Sequence, residues 1–226
     1  MGQGENQGVS IILAARTAIY NLLHAIFGGD PQERVLEALS DGSLMQLISV
    51  FCDDGDSLQL SAQHLEEHTR ALKTSDPDIL DKLSSVYCRL FVGPGKVEAE
   101  PWESVYNEGE AMLFQKSTLD VRKAYVAQGF IPKSYPHVAD DHIALELDFM
   151  RQLAKRMEET LASDSGEYEV LRQASAKFLS SHMLNWVPLF YAKVESAREQ
   201  LIYREAAALL NEFLKIDLEV LDELAK

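Results

Sequence analysis

Cysteines, basic residues and long apolar runs are scarce in this chain of 226 residues. Its two cysteines, Cys52 and Cys88, lie far apart and form no Cys-x-x-Cys pair, which argues against a disulfide framework or a thiolate metal site. We expect both to be buried, reduced thiols. No run approaches the ~20 apolar residues of a membrane helix, and residues 1–8 are polar and acidic, unlike a secretory signal. We therefore expect a cytoplasmic protein without stable membrane insertion.

Negative charge dominates the ionisable residues. Lys and Arg number 21 against 36 Asp and Glu, which gives a formal net charge of -15. This balance disfavours nucleic acid as a partner, because nucleic-acid phosphates recruit Lys and Arg. It suits a cationic partner, although an acidic surface also simply keeps a protein soluble. Hydrophobic residues make up 46% of the chain, which is enough to build a globular core.

Apolar residues recur at helical spacing almost throughout the chain. We predict an all-α fold, a single globular bundle of about ten helices. No alternating run is long enough to predict a strand. Two glycines and two prolines make residues 93–101 the main break in this pattern. We therefore place a hinge over 93–101, between helical subdomains that cover 9–92 and 102–226.

An apolar and aromatic set lies on both sides of this break. Tyr87, Leu90 and Phe91 share one helix face, and Trp102 and Tyr106 follow the break. Aromatic stripes at helical spacing usually belong to the core. The alternative is a hydrophobic groove with an acidic rim, which would bind an apolar and cationic partner.

The run Asp140-Asp141-His142 is the first candidate for chemistry. A carboxylate beside an imidazole can fix its tautomer and raise its basicity, but one of these carboxylates could equally cap the helix that follows. Glu146 lies one helical turn after His142, so a metal-assisted hydrolase centred on Asp141, His142 and Glu146 is an alternative function. Zinc sites usually need three or four protein ligands, and the other histidines offer no supporting spacing. We expect no metal and no cofactor, since phosphate-binding and nucleophile motifs are also missing.

Three motifs in a fixed order carry a family resemblance. They are Tyr-x-x-Leu-Phe-x-Gly-Pro from Tyr87, Glu-x-Glu-Pro-Trp-Glu-Ser-Val-Tyr from Glu98, and Asp-Asp-His-Ile-x-Leu-Glu from Asp140. Together they resemble the TorD/DmsD family of redox-enzyme maturation chaperones, over roughly residues 87–157, whereas residues 1–75 match only in helical pattern. Members of that family are cytoplasmic, all-helical proteins that bind the twin-arginine leader of a molybdoenzyme before export.

The resemblance implies a leader-binding site within these motifs. The residues that match it are Tyr87, Leu90, Phe91, Pro101, Trp102, Asp141 and His142. Weaker candidates are Glu100, Glu103 and Tyr106. Tyr87 stands where some relatives carry Trp, and Ala144 stands where Gly is frequent, so the shape of the site should differ from theirs.

The function that the resemblance implies requires no catalysis. A cytoplasmic chaperone would hold the twin-arginine leader of a molybdopterin oxidoreductase subunit until the cofactor is inserted, and then release it for export. The apolar part of the leader would lie against the aromatic set, and its Arg pair would approach Asp141. A helical adaptor that binds the mature partner enzyme is a further alternative. We expect a monomer, or a dimer formed by domain swapping across residues 93–101.

Overall fold

The computed structural model of this protein describes residues 3–52, 55–107, 116–132, 138–163 and 166–225. Within these ranges the chain forms eleven α-helices, and its β-structure is limited to one isolated bridge, which confirms the predicted all-α fold. The helices are α1 (Gln3–Phe27), α2 (Glu33–Ala38), α3 (Ser43–Ile48), α4 (Ser57–Ser75), α5 (Ile79–Tyr87), α6 (Glu103–Asn107), α7 (Lys116–Ala127), α8 (Ile143–Thr160), α9 (Glu167–Phe178), α10 (Leu184–Ser196) and α11 (Ile202–Glu223). Two short π-helical segments continue α5 and join α9 to α10; they are Cys88–Val92 and Leu179–Met183.

The helices α1 and α8 run antiparallel through the centre of the molecule. The end of α1 contacts the start of α8 through His24 and Ala144, and Arg16 contacts Met157 further along. Around this pair, α9 packs on α8, while α11 packs on α4 and α10. Residues at helical spacing supply the shared core, among them Leu13, Ile19, Leu23, Leu147, Met150, Leu210 and Phe213. Each fully buried side chain of this kind stabilises the fold by roughly 1.5–3 kcal/mol.

A fully buried ion pair joins the first helix to the last. Arg16 donates from Nε to Asp217 Oδ1 at 2.5 Å and from Nη2 to Oδ2 at 3.0 Å. The Tyr20 hydroxyl donates to the same Oδ2 at 2.6 Å. None of the three side chains has any exposed surface, so their polar groups depend on one another.

The first helix contains a longer apolar run than we expected. The 22 residues Asn6–Phe27 are long and apolar enough to cross a membrane by length and composition, so the expectation that no such run exists is wrong. This is weak support for a membrane span, because the core helix of a globular protein passes the same test. In this fold α1 contributes Leu13, Ile19 and Leu23 to the core.

The break over residues 93–101 folds back on the helix that precedes it. Gly93 and Gly95 have φ angles of 104° and 107°, a region that favours glycine. The Ala99 amide then donates to the Leu90 carbonyl oxygen at 2.9 Å. The predicted hinge at this break, and the two subdomains on either side of it, stay predictions.

Two details differ from the sequence analysis. Cys88 is exposed and Cys52 is partly exposed, so neither is the buried thiol that we expected. Cys88 begins the π-helical segment, where its side chain faces away from the core side occupied by Leu90 and Phe91.

The five-residue helix α6 was not predicted, because such a short helix has no periodic pattern of its own.

Candidate functional site

Two segments that carry predicted site residues lie side by side. Trp102 and His142 form the isolated antiparallel bridge, and the Ile143 amide donates to the Pro101 carbonyl oxygen at 2.9 Å. The rings of Trp102 and His142 meet edge to face, with centroids 5.3 Å apart and an interplanar angle of 79°. The fold therefore brings Pro101, Trp102, Asp141 and His142 together, although the two segments are about 40 positions apart in the chain.

The cap of α8 is His142, not a carboxylate. Its Nδ1 accepts a hydrogen bond from the Ala144 amide at 3.1 Å. The expectation that Asp140 or Asp141 caps this helix is therefore wrong. Asp140 instead accepts from Arg122 Nε at 2.6 Å.

Asp141 caps α6, a helix that is distant from it in the sequence. Its Oδ2 accepts from the Ser104 amide at 2.9 Å, and its Oδ1 accepts from the Thr118 hydroxyl at 2.9 Å. The first of these bonds satisfies one of the free N–H groups at the start of α6. The Asp141 side chain has no exposed surface. It therefore holds α6 and α7 against the start of α8.

A second carboxyl, Glu146, lies in the interior beside Glu103. Trp186 Nε1 donates to Glu146 Oε2 at 3.1 Å. Glu103 accepts from Asn107 Nδ2 at 2.8 Å and lies 3.0 Å from His182 Nδ1. Burial, reinforced by the negative charge of Glu103, raises the pKa of Glu146 well above its usual range. The interior therefore favours the neutral form of Glu146, which presents no charge to a partner.

The remaining predicted apolar residues form part of an aromatic cluster in the core. Leu90 has no exposed surface, and Phe91 is almost fully buried. Phe91 packs on Tyr87 and on Phe190, with ring centroids 5.3 Å and 5.8 Å apart. Phe190 in turn contacts Tyr106 at 6.5 Å. The cluster is continuous, and most of its surface faces the interior.

A cleft of about 420 Å³ opens where the end of α1 meets the start of α8. Two of the predicted site residues, Tyr87 and His142, line it, and Trp102 borders it through its ring contact with His142. The other lining residues are His24, Gly28, Val138, Ala144, Leu145, Asp148, Arg151 and Gln152. This cleft combines aromatic surface with hydrogen-bonding and charged side chains, so it is the candidate binding site.

Gly28 allows the close approach that forms this cleft. A Cβ at this position would lie 2.5 Å from the His24 carbonyl oxygen and 3.5 Å from the Ala144 Cβ. His24 Nδ1 lies 2.9 Å from the Ala144 carbonyl oxygen, which closes the contact between the two helices. Burial lowers the pKa of His142 to about 4, against the opposing effect of Asp141. The His142 ring is therefore neutral near pH 7.

The weaker candidates lie away from the cleft. Glu100 is partly exposed and lines a separate cleft with Lys96 and Lys193. Glu103 is buried beside His182. The assignment of any of the predicted residues to leader binding stays a prediction.

Sequence reasoning did not identify most residues of the cleft, among them His24, Gly28 and Asp148. No short motif joins α1 to α8, and the 120 positions between His24 and Ala144 hide their contact. The one local indication is the Gly28-Gly29 pair that ends α1, since a glycine there permits a close helix contact.

The geometry offers no support for the hydrolase alternative. Asp141 and His142 use their side chains to cap α6 and α8, and Glu146 binds Trp186 in the interior. Within the described part of the chain, no group of three or more His, Cys, Asp and Glu side chains is arranged to hold a metal ion.

Comparison with known proteins identifies the family. The sequence model of the nitrate reductase delta subunit family matches residues 55–192. The chaperone protein TorD of Vibrio cholerae is 27% identical over 218 residues, which cover 96% of this chain and 97% of that protein. The TorD of Photobacterium profundum is 30% identical over 65% of this chain and 66% of its own. The crystal structure of a candidate redox enzyme maturation protein from Archaeoglobus fulgidus has a TM-score of 0.49 and 21% identity, covering 88% of this chain and 93% of its own. By the family match, the chain belongs to the nitrate reductase delta subunit family, which is the family of the TorD redox-enzyme maturation chaperones.

Proposed function

We propose that this protein is a cytoplasmic chaperone that binds the twin-arginine leader of a molybdopterin oxidoreductase subunit. It holds the leader until the cofactor is inserted and releases the precursor for export. Membership of the family and the similarity to TorD chaperones along nearly the whole chain support a role in molybdoenzyme maturation. The single observation that carries the leader-binding part is the α1–α8 cleft, because it joins residues from all three family motifs or their immediate contacts.

The predicted site residues have two roles under this proposal. Tyr87, Trp102 and His142 contact the leader, because they line or border the cleft. The others do not line the cleft and hold these three in position; they are Leu90, Phe91, Pro101 and Asp141. An apolar segment of the leader, in helical form, lies against the exposed edge of this aromatic surface, as amphipathic helices do in grooves.

The arginines of the leader need a carboxylate that they can reach. Asp141 is completely buried and both of its oxygens accept hydrogen bonds. Asp148 lines the cleft, and its partly exposed carboxylate accepts from Arg151 Nε at 2.9 Å. A leader guanidinium can compete with Arg151 there, because the pair is partly exposed and solvent screens part of its attraction. We therefore assign the arginine contact to Asp148, with the overall negative charge attracting the leader from a distance.

Calorimetry with a synthetic leader peptide tests the proposal. The peptide is taken from the twin-arginine leaders of the molybdopterin oxidoreductase precursors encoded in the same genome. We expect wild type to bind it, and Asp148→Asn to bind it more weakly, by up to about fivefold, as the loss of one partly exposed ion pair of ~0.2–1 kcal/mol implies. Asp120→Asn is the matched control, because Asp120 also forms an exposed pair, with Lys123, but lies outside the cleft.

Two results would contradict the proposal. Wild type that binds no leader peptide rules out the leader-binding function. Equal affinity for the mature enzyme without its leader would favour the helical adaptor instead. Sedimentation of the free and bound protein decides in the same samples between a monomer and a domain-swapped dimer.

A further inference from the structure

Two histidines in the α1–α8 cleft have tautomers that are set by one residue, Ala144. A carbonyl oxygen can only accept, so the His24 Nδ1 that lies 2.9 Å from the Ala144 oxygen carries a proton. A backbone amide can only donate, so the His142 Nδ1 that it contacts at 3.1 Å is unprotonated. In the neutral rings, His24 Nε2 is therefore an acceptor and His142 Nε2 is a donor.

Both of these nitrogen atoms are available to a ligand. The two rings are partly exposed and line the same cleft. Across the described ranges of the chain, the ring hydrogen bonds of His24 and His142 involve Nδ1 alone. The cleft thus presents one fixed donor and one fixed acceptor, and the carboxylate of Asp148 lines the same cleft.

A donor and an acceptor that line the same cleft match one extended residue of a peptide. Such a residue presents its own N–H and C=O on the same side, as in the hydrogen-bonded pairs of antiparallel strands. A residue inside a helix does not, because its backbone groups already bond within the helix. The His142 donor and the His24 acceptor therefore match a non-helical part of a bound peptide. The apolar helical part of a leader cannot bind them through its backbone, because its backbone groups are already hydrogen-bonded.

We propose that His24 and His142 together bind the backbone of one extended residue in the arginine-bearing part of the leader. His142 Nε2–H donates to the carbonyl oxygen of that residue, and its N–H donates to His24 Nε2. This inference rests on the proposed function, and it adds His24 as a recognition residue on α1. Because Asp148 lines the same cleft, a residue held in this way places a neighbouring arginine side chain beside a carboxylate.

An ester scan of the leader peptide tests this pairing without changing the protein. Each successive residue from the arginine pair onward has its amide N–H replaced by an ester oxygen, which removes one donor and leaves the shape nearly unchanged. At one position we expect wild type to bind about fivefold more weakly, the usual effect of one hydrogen bond. His24→Phe should lose about the same affinity for the all-amide peptide and show no further loss with that ester. His64→Phe, which changes an exposed histidine on α4, is the control and should match wild type throughout.

The tautomers of His24 and His142 can be measured in the free protein, without a ligand. Nitrogen-15 NMR of the free protein at pH 7.5 should show His24 protonated at Nδ1 and His142 protonated at Nε2. The reverse tautomer at either ring overturns the inference. If wild type binds no leader at all, the proposed function fails and this inference fails with it. If wild type binds the leader but the ester scan shows no position whose effect depends on His24, the inference alone is wrong.

Discussion

Arg16 on α1 and Asp217 on α11 form an ion pair across 201 positions of the chain, with neither side chain exposed to solvent. Tyr20 shares the Asp217 carboxylate, and Arg16 Nη1 donates to Met157 Sδ at 3.5 Å, so all partners of this group lie in the interior. A pair of this kind adds little net stability compared with apolar residues of the same shape, because both charges lose their hydration. Removal of only one member of the pair is costly, because the other charge then stays buried without a partner.

Arg16→Met should therefore lower the free energy of unfolding by ~3–5 kcal/mol, the usual cost of breaking a buried pair from one side. Urea unfolding followed by circular dichroism measures this loss. Lys82→Met is the control, because Lys82 pairs with Asp76 at 2.5 Å with much of its side chain exposed, and we expect its free energy of unfolding to stay close to that of wild type. Equal stability of Arg16→Met and wild type would contradict the role that we assign to the buried pair.

The two tryptophans should separate binding from folding. Trp102 is partly exposed and borders the cleft, so Trp102→Ala should leave the protein folded and weaken leader binding about tenfold, as a loss of ~1.4 kcal/mol implies. Trp186 is fully buried, so Trp186→Ala should cost ~3–5 kcal/mol of stability. Melting curves and peptide titrations on both variants check this. Unfolding of Trp102→Ala, or unchanged binding by it, would remove Trp102 from the site.

The buried Glu146 should make stability depend on pH in a defined direction. Its pKa is raised in the folded state, so the native protein binds more protons than the unfolded chain once the pH exceeds the ordinary Glu value of ~4.3. Stability therefore falls as the pH rises toward the folded pKa, by up to ~1.4 kcal/mol per pH unit. Glu146→Gln keeps an acceptor for Trp186 and removes the titration. The variant should gain stability over wild type between pH 5 and pH 7 in urea titrations, and a constant difference across that range would contradict this account.

His142 should make stability depend on pH in the direction opposite to Glu146, at mildly acid pH. Its pKa falls from 6.5 to about 4 on folding, so the unfolded chain binds more protons between these values. Wild-type stability should therefore decrease as the pH falls from 6.5 to 4, by at most ~1.4 kcal/mol per unit. His142→Asn retains a side chain that caps helices well and should lose this part of the pH dependence. Denaturation midpoints of both proteins at pH 7 and pH 5 test it, and parallel curves would show that His142 does not titrate as described.

The sequence predicts those parts of the structure that depend on local spacing. The helices follow from apolar periodicity, and the shared face of Tyr87, Leu90 and Phe91 follows from their spacing on one helix. The role of Asp141 does not follow, because the sequence presents it as a cap for the helix directly after it. Its observed partner, the Ser104 amide, lies 37 positions earlier, and only the folded chain brings the two together.

The cleft was harder to predict for the same reason. Its histidines come from α1 and from the start of α8, and Tyr87 comes from the end of α5. Each of these positions resembles an ordinary helix terminus when it is considered alone. The depth and lining of the cleft depend on how closely three helices pack, and no residue pattern within one helix records that distance.

The assembly of the cleft from α1, α5 and α8 limits the methods that can locate a bound peptide. Deletion mapping cannot narrow the site to one short segment, since any fragment that ends before residue 142 or begins after residue 28 lacks part of the lining. The same dependence is useful in a search for the client. A peptide that binds only the complete fold stabilises it, by ~2.7 kcal/mol when the free peptide concentration is a hundredfold above Kd. The melting temperature of the protein therefore rises. A thermal-shift screen of leader peptides from the genome can therefore identify the client before any assay of enzyme maturation exists.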